Sequence, residues 1–305
     1  MNFTKKFYHK LKTRKYLHHI VDNLKDGVSV ALTNPRGKGD YTIYFSSIIN
    51  YANKHQDKKI CAYVLSNRVD VLSCYELPSN VSTSIINLKS VEFDMLIKSV
   101  KKLKDKYNGI LLIDFVPQTK EITNKYQSVF DVIWNEFYKE SGVVKPIPCK
   151  NVNLKDEAAS LEYKKENGDY VLINSLTPSI NIPNSKLFFE EVIKVIKNKY
   201  GLKVISNMID LEGADLVINC SFNELYFYFK NAKLEVGVRS GLEDFCVGTL
   251  TPIISLIPKE ENYMSIFSNL KNWKTSGPIE VIKYDKDSDN LSIVSKKIDE
   301  LLKAN

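Results

Sequence analysis

The sequence predicts an α/β protein made of two doubly wound, parallel-stranded halves. Three observations carry this. Short β-branched apolar runs alternate with longer periodic segments along most of the chain, the pattern of parallel βαβ units. The alternation breaks once, in a polar stretch near the middle, and then restarts. The 305 residues, 44% hydrophobic and 26% charged, are more than one core comfortably organises and suit two domains of ~150 residues.

The elements follow in order. Val28–Thr33 is a buried strand, closed by the loop 34–40, and 41–54 reads as a helix. Ile60–Leu65 is a strand, 93–107 an amphipathic helix, and 109–115 (GILLIDF) a strongly apolar strand stopped by Pro117. A helix is expected over 121–138. Pro146, Pro148 and the polar run that follows mark the boundary. The second half restarts with a strand at 170–174 and a helix from Asn184 or Ser185 to about 199, then strands at 202–206 and 216–219. Ser221-Phe222-Asn223-Glu224 is a capping box that opens a helix, and Ser240-Gly241-Leu242-Glu243 is a second. Strands at 234–238 and 251–257 and a final helix at 290–302 complete the reading. The expected domains are a basic helix at 1–22, a Rossmann-like domain at 23–150, a linker at 151–168 and a second Rossmann-like domain at 169–305. Two such halves facing each other across a cleft take ligands at the carboxyl ends of their strands.

Composition narrows the function classes. The five cysteines have no CxxC spacing and the four histidines no metal-ligand spacing, so neither a disulfide framework nor a metal site is expected. No apolar run reaches the ~20 residues of a membrane span, and no secretory pattern opens the chain. A cytoplasmic protein is expected. The net charge of +7 suits an anionic partner. Residues 1–20 hold six Lys or Arg and no acid, with Phe3, Phe7, Tyr8 and Leu11 between them. This segment reads either as an amphipathic helix lying on the anionic inner face of a membrane or as a helix docked on the core. Basic stripes interleaved with aromatics are missing elsewhere, so nucleic acid is not an expected partner.

Two loops carry candidate chemistry. In the first, Arg36, Gly37, Lys38 and Gly39 precede Asp40. The third glycine of a dinucleotide fingerprint and the Ser/Thr of a Walker A loop are both missing. What remains is a glycine turn presenting a carboxylate. Asp40 is either a general base for an acceptor hydroxyl or a helix cap. In the second, a buried strand runs into Arg239, Ser240 and Gly241 at a helix start, followed by Glu243 and Asp244. Unpaired N–H groups and a guanidinium there suit a diphosphate. The simpler alternative is an internal pairing of Arg239 with Glu243 or Asp244. Ser175 and Thr177, at another strand end, add hydroxyls.

These features in this order resemble the family-nine glycosyltransferases, which include the heptosyltransferases of lipopolysaccharide assembly, and related bacterial surface-polysaccharide transferases of the GT-B fold. The likeness lies in Gly37-Lys38-Gly39-Asp40, in YVLINSLTPS at 170–179, and most clearly in the segment 220–258 with its RSGLED turn. The resemblance implies transfer of a sugar from a nucleotide diphosphate to a hydroxyl of a glycan or lipid-linked acceptor. It also implies inversion and no required metal or cofactor. The acceptor would lie on the N-terminal half with Asp40 as base. The donor would lie on the C-terminal half with Arg239, Ser240, Gly241 and Asp244, and with Ser175 and Thr177 nearby. Lys186 alone answers the family's Lys-x-Trp-Pro stretch, and Arg239 replaces the aspartate of its D-T-G turn, so sugar and base stay open. A non-catalytic partner subunit of a transferase and a nucleotide-sugar epimerase are the alternatives on the same fold.

Overall fold

The computed structural model describes residues 3–34, 37–114, 129–140, 147–150, 152–177, 180, 182–259, 277–285 and 288–303. The chain divides into two compact units, 1–147 and 148–305.

The first unit holds four parallel strands, β1 (Ser29–Asn34), β2 (Ile60–Leu65), β3 (Val81–Ile86) and β4 (Ile110–Asp114), in the order β3-β2-β1-β4. Its helices are α1 (Phe3–Lys25), α2 (Lys38–Lys54), the short α3 (Val69–Leu72), α4 (Ser90–Lys101) and α5 (Val129–Val132), which runs on as a wider π turn over Ile133–Phe137. Val30, Leu32, Tyr63 and Leu112 on one sheet face pack with Ile20, Phe93, Leu96 and Ile97 of α1 and α4. α2 is buried nearly throughout, and Tyr44 donates its hydroxyl to the carbonyl of Ala31 at 2.7 Å. The expected helix at 121–138 falls partly on residues outside those described. β3 escaped sequence reading because its Ser82-Thr83-Ser84 centre is polar, as suits an edge strand.

α1 is core-docked. Thr13, Ile20 and Leu24 are buried, and His9 Nδ1 lies 2.8 Å from Glu92 Oε1 on α4. Its opposite side exposes Tyr8, Lys10, Leu11, Arg14, Lys15 and His18.

The second unit holds six parallel strands, β5 (Tyr170–Asn174), β6 (Lys203–Asn207), β7 (Leu216–Ile218), β8 (Leu234–Val238), β9 (Ile253–Pro258) and β10 (Ile279–Tyr284). Their order is β10-β9-β8-β5-β6-β7, the doubly wound arrangement in which the chain leaves the centre in opposite directions from β5 and β8. The helices are α6 (Leu154–Asn167), α7 (Ser185–Tyr200), α8 (Phe222–Asn231), α9 (Gly241–Cys246) and α10 (Asn290–Lys303). Val171, Ile173, Val236, Val238 and Ile254 pack against Phe189, Ile193, Val294 and Ile298 of α7 and α10.

The linker expected at 151–168 is a correction: 154–167 form α6, part of the second unit. Its contacts to α8 are polar. Lys230 Nζ donates to Glu157 at 3.0 Å and Asn231 Nδ2 to Ser160 Oγ at 3.0 Å, while Leu154 and Leu161 face outward. A helix held this way has no apolar stripe for periodicity to detect.

Candidate active site

Several polar residues of the second unit gather where the strand order reverses. β5 and β8 are neighbours, with Asn174 opposite Gly237, and the chain departs in opposite directions beyond them. Asn207 at the end of β6 donates Nδ2 to Asn174 Oδ1 at 3.0 Å, and Asn174 donates Nδ2 to Ser240 Oγ at 3.0 Å. One hydrogen-bonded chain therefore ties three strand ends together. Ser175, Thr177, Arg239, Ser240 and Asp244 are all buried there. Asn207 was not singled out from the sequence, because a strand-terminal asparagine has no local signature.

The turn takes up the charge of Arg239. Its guanidinium donates to Asp244 Oδ1 and to the Ser240 carbonyl, and lies 3.7 Å from Glu243 Oε2. The internal pairing that the sequence offered as the simpler alternative is therefore the observed one. Glu243 Oε2 accepts from the Ser255 hydroxyl at 2.8 Å and from the Ser240 N–H at 3.3 Å. Behind it, Glu235 is fully buried on β8, and neither of its carboxyl oxygens has a hydrogen-bond partner among the described residues. Burial and then Glu243 hold the Glu235 acid well above the usual carboxylate range, against the pull of Arg239. Burial likewise pushes Glu243 up to about 7, opposed by Arg239 and by its bond from Ser255. Gly237 makes room for this: a Cβ there would stand 2.3 Å from Glu235 Oε1 and 3.0 Å from the Asn174 carbonyl. Lys186 stands apart on the first turn of α7, exposed, 3.8 Å from Glu190.

In the first unit the glycine loop leaves β1 beside the end of β4, with Asn34 opposite Asp114, again at the point where the strand order reverses. Arg36 lies outside the described residues, as does the side chain of Lys38. Asp40 is half-buried in the first turn of α2, and its Oδ2 accepts the Gly37 N–H at 2.7 Å. Gly39 is buried, its carbonyl accepting from the Thr42 hydroxyl at 2.7 Å. Asp40 thus closes the loop as a cap. Among the described residues no three His, Cys, Asp or Glu side chains are grouped to hold a metal ion, and no helix is long and apolar enough to cross a membrane.

No protein family and no curated protein matches the sequence. Solved structures match the fold. An ADP-heptose lipopolysaccharide heptosyltransferase II from E. coli aligns over 91% of this chain and 99% of its own, with a TM-score of 0.60 at 12% identity. A family-nine glycosyl transferase from Veillonella parvula aligns over 90% and 97%, with a TM-score of 0.57 at 11% identity. The E. coli heptosyltransferase WaaC, solved with ADP, aligns over 89% and 99%, with a TM-score of 0.55 at 12% identity. The chain has the two-domain, Rossmann-like GT-B fold, and in that fold it resembles the family-nine heptosyltransferases.

Proposed function

We propose that this chain is a glycosyltransferase that moves a sugar from a nucleotide-diphosphate donor to a hydroxyl of a glycan or lipid-linked acceptor. The observation that carries the reading is the polar turn of Asn174, Asn207, Arg239 and Ser240 at the strand-order reversal of the second unit. That is where doubly wound sheets take nucleotides. The likeness in fold to transferases solved with ADP and an ADP-sugar analogue supports it.

In this reading the donor binds the second unit. Asp244 now takes one nitrogen of the Arg239 fork and the Ser240 carbonyl the other, and a diphosphate offers oxygens for both. Donor entry exchanges one for the other, with Ser240, Gly241, Ser175 and Thr177 around it and Lys186 at the rim. The acceptor binds the first unit. Its oxygen attacks the anomeric carbon, the bond to the diphosphate breaks with inversion, and Asp40 takes the proton. Stabilising the departing diphosphate is the largest contribution, and it is assigned to protein groups, with no metal or organic cofactor required. A thermal-shift screen against UDP-, GDP-, ADP-, CMP- and dTDP-sugars tests this. A donor at ~100 times its Kd stabilises the native state by about 2.7 kcal/mol, so one of these families should raise the midpoint. A flat response to all of them would remove the reading. The internal engagement of Arg239 favours one other reading, a non-catalytic partner subunit that binds glycan. Donor binding without donor hydrolysis or transfer would select it.

We also propose that the exposed face of α1 rests on an anionic membrane surface, on the cytoplasmic side. Lys10, Arg14 and Lys15 sit there beside Tyr8 and Leu11, both at least half exposed. Basic residues near such a surface contribute ~1 kcal/mol each. The chain should co-sediment with vesicles containing phosphatidylserine and be released by salt. Equal sedimentation with purely phosphatidylcholine vesicles would count against a charge-driven contact.

A further inference from the structure

We propose that Glu235 and Glu243 are positioning residues of the Arg239 turn: Glu235 keeps its proton, and the gain or loss of a proton on Glu243 sets how readily the turn accepts an anion. The link to an anion rests on the transferase reading; the protonation of the pair does not.

The geometry brings the two carboxyls together. Glu235 and Gly237 lie on the same face of β8, two residues apart, and Glu235 Oε1 occupies the space a Gly237 side chain would need. Across the sheet, Gly237 is paired with Ser255 of β9, whose hydroxyl donates to Glu243 Oε2. Both acids therefore converge on Gly237, and both are fully buried. Glu235 has no hydrogen-bond donor at either oxygen, and Glu243 has none at Oε1, among the described residues.

The charged groups around the pair are Arg239, from the strand end, and Asp244, from α9; Asn174, Ser240 and Ser255 are neutral. Among the described residues, Glu235, Glu243 and Asp244 all lie near Arg239. A carboxylate without donors in a dry interior is too costly to leave ionised, so Glu235 keeps its proton. Glu243 has two donors and the nearby guanidinium, so it is the member that ionises. With Glu243 ionised, a second carboxylate stands beside Arg239 and Asp244. With Glu243 protonated, an incoming diphosphate meets one negative charge fewer.

The sign of the pH dependence follows. The folded chain holds the Glu243 proton more tightly than the unfolded chain does. The associated stability is fully present below the ordinary glutamate range and is lost as pH rises through about 7. Anion affinity changes in the same direction, higher on the acid side.

The test uses the full chain labelled with carbon-13 at the glutamate carboxyls. One glutamate should titrate near pH 7 by NMR and vanish from the spectrum of Glu243→Gln, while another, lost in Glu235→Gln, stays protonated above it. If every glutamate has ionised by about pH 5, as ordinary ones do, the protonated pair is overturned. Affinity is then measured for UDP-glucose and ADP-glucose, whose diphosphate diesters keep their charge between about pH 6 and 8. It should rise about fivefold from pH 8 to pH 6 in the wild type and stay level in Glu243→Gln. A titrating glutamate with level wild-type affinity would overturn the positioning role. No binding of either nucleotide at any pH would count against the transferase reading and the anion link, and the NMR result would still decide the proton.

Discussion

Replacing Arg239 by alanine is expected to remove the hold on the donor and to weaken the second unit as well. The guanidinium acts on all three of Glu235, Glu243 and Asp244. Breaking a buried ion pair by deleting one partner leaves the other uncompensated, which costs ~3–5 kcal/mol. Protonation of Glu243 softens this at lower pH, so the loss should be larger at pH 8 than at pH 6. Loss of positive charge at the leaving group should lower kcat/KM by about 10²–10³-fold. Denaturant unfolding and turnover, measured on folded material, separate the two effects. Arg239→Lys keeps the charge but lacks the planar fork, and it should recover stability better than activity. Full turnover in Arg239→Ala would show that the diphosphate is held elsewhere. An unchanged unfolding midpoint would show that the internal clamp carries no weight.

Changing Asp40 to asparagine should slow transfer about 10²–10⁴-fold with little effect on donor affinity or folding. The reason is the double position of this side chain. As a cap it accepts the Gly37 N–H, and an asparagine oxygen can do the same. The lost interaction of its charge with the start of α2 amounts to ~0.3–1 kcal/mol. As a base it needs an ionised carboxylate, which asparagine cannot supply. A rate within a few-fold of wild type would reduce Asp40 to a cap. A large loss of donor binding would contradict its place on the acceptor side.

How far the site was legible varies with the range of each signal. The capping box at Ser221 was readable because both its bonds lie within four residues, and the structure shows them: Glu224 N donates to Ser221 Oγ at 3.2 Å and Ser221 N to Glu224 at 2.8 Å. The strand–turn–helix at 234–246 was readable for the same reason. The partner of Arg239 was narrowed to Glu243 or Asp244 from spacing alone. Glu235 was invisible as anything special, because a single acid in an apolar strand gives no hint of what lies over it. Asn174 and Asn207 are 33 residues apart, and only the pairing of β5 with β6 brings them together.

The alternation of apolar runs with periodic ones determined the two Rossmann-like halves, the positions of most strands and the two strand-end loops. Those properties depend on neighbours within a turn or a strand, and the order of residues encodes such neighbours directly. Tertiary structure decided that α6 is a packed helix, that α1 docks through its buried side onto α4, and that Glu235 comes to lie near the guanidinium that Glu243 and Asp244 also approach. Each of these depends on which elements become adjacent in space and on how much water is excluded there. Side-chain charge in a dry interior is set by those distant neighbours, so it is absent from any local reading of the chain.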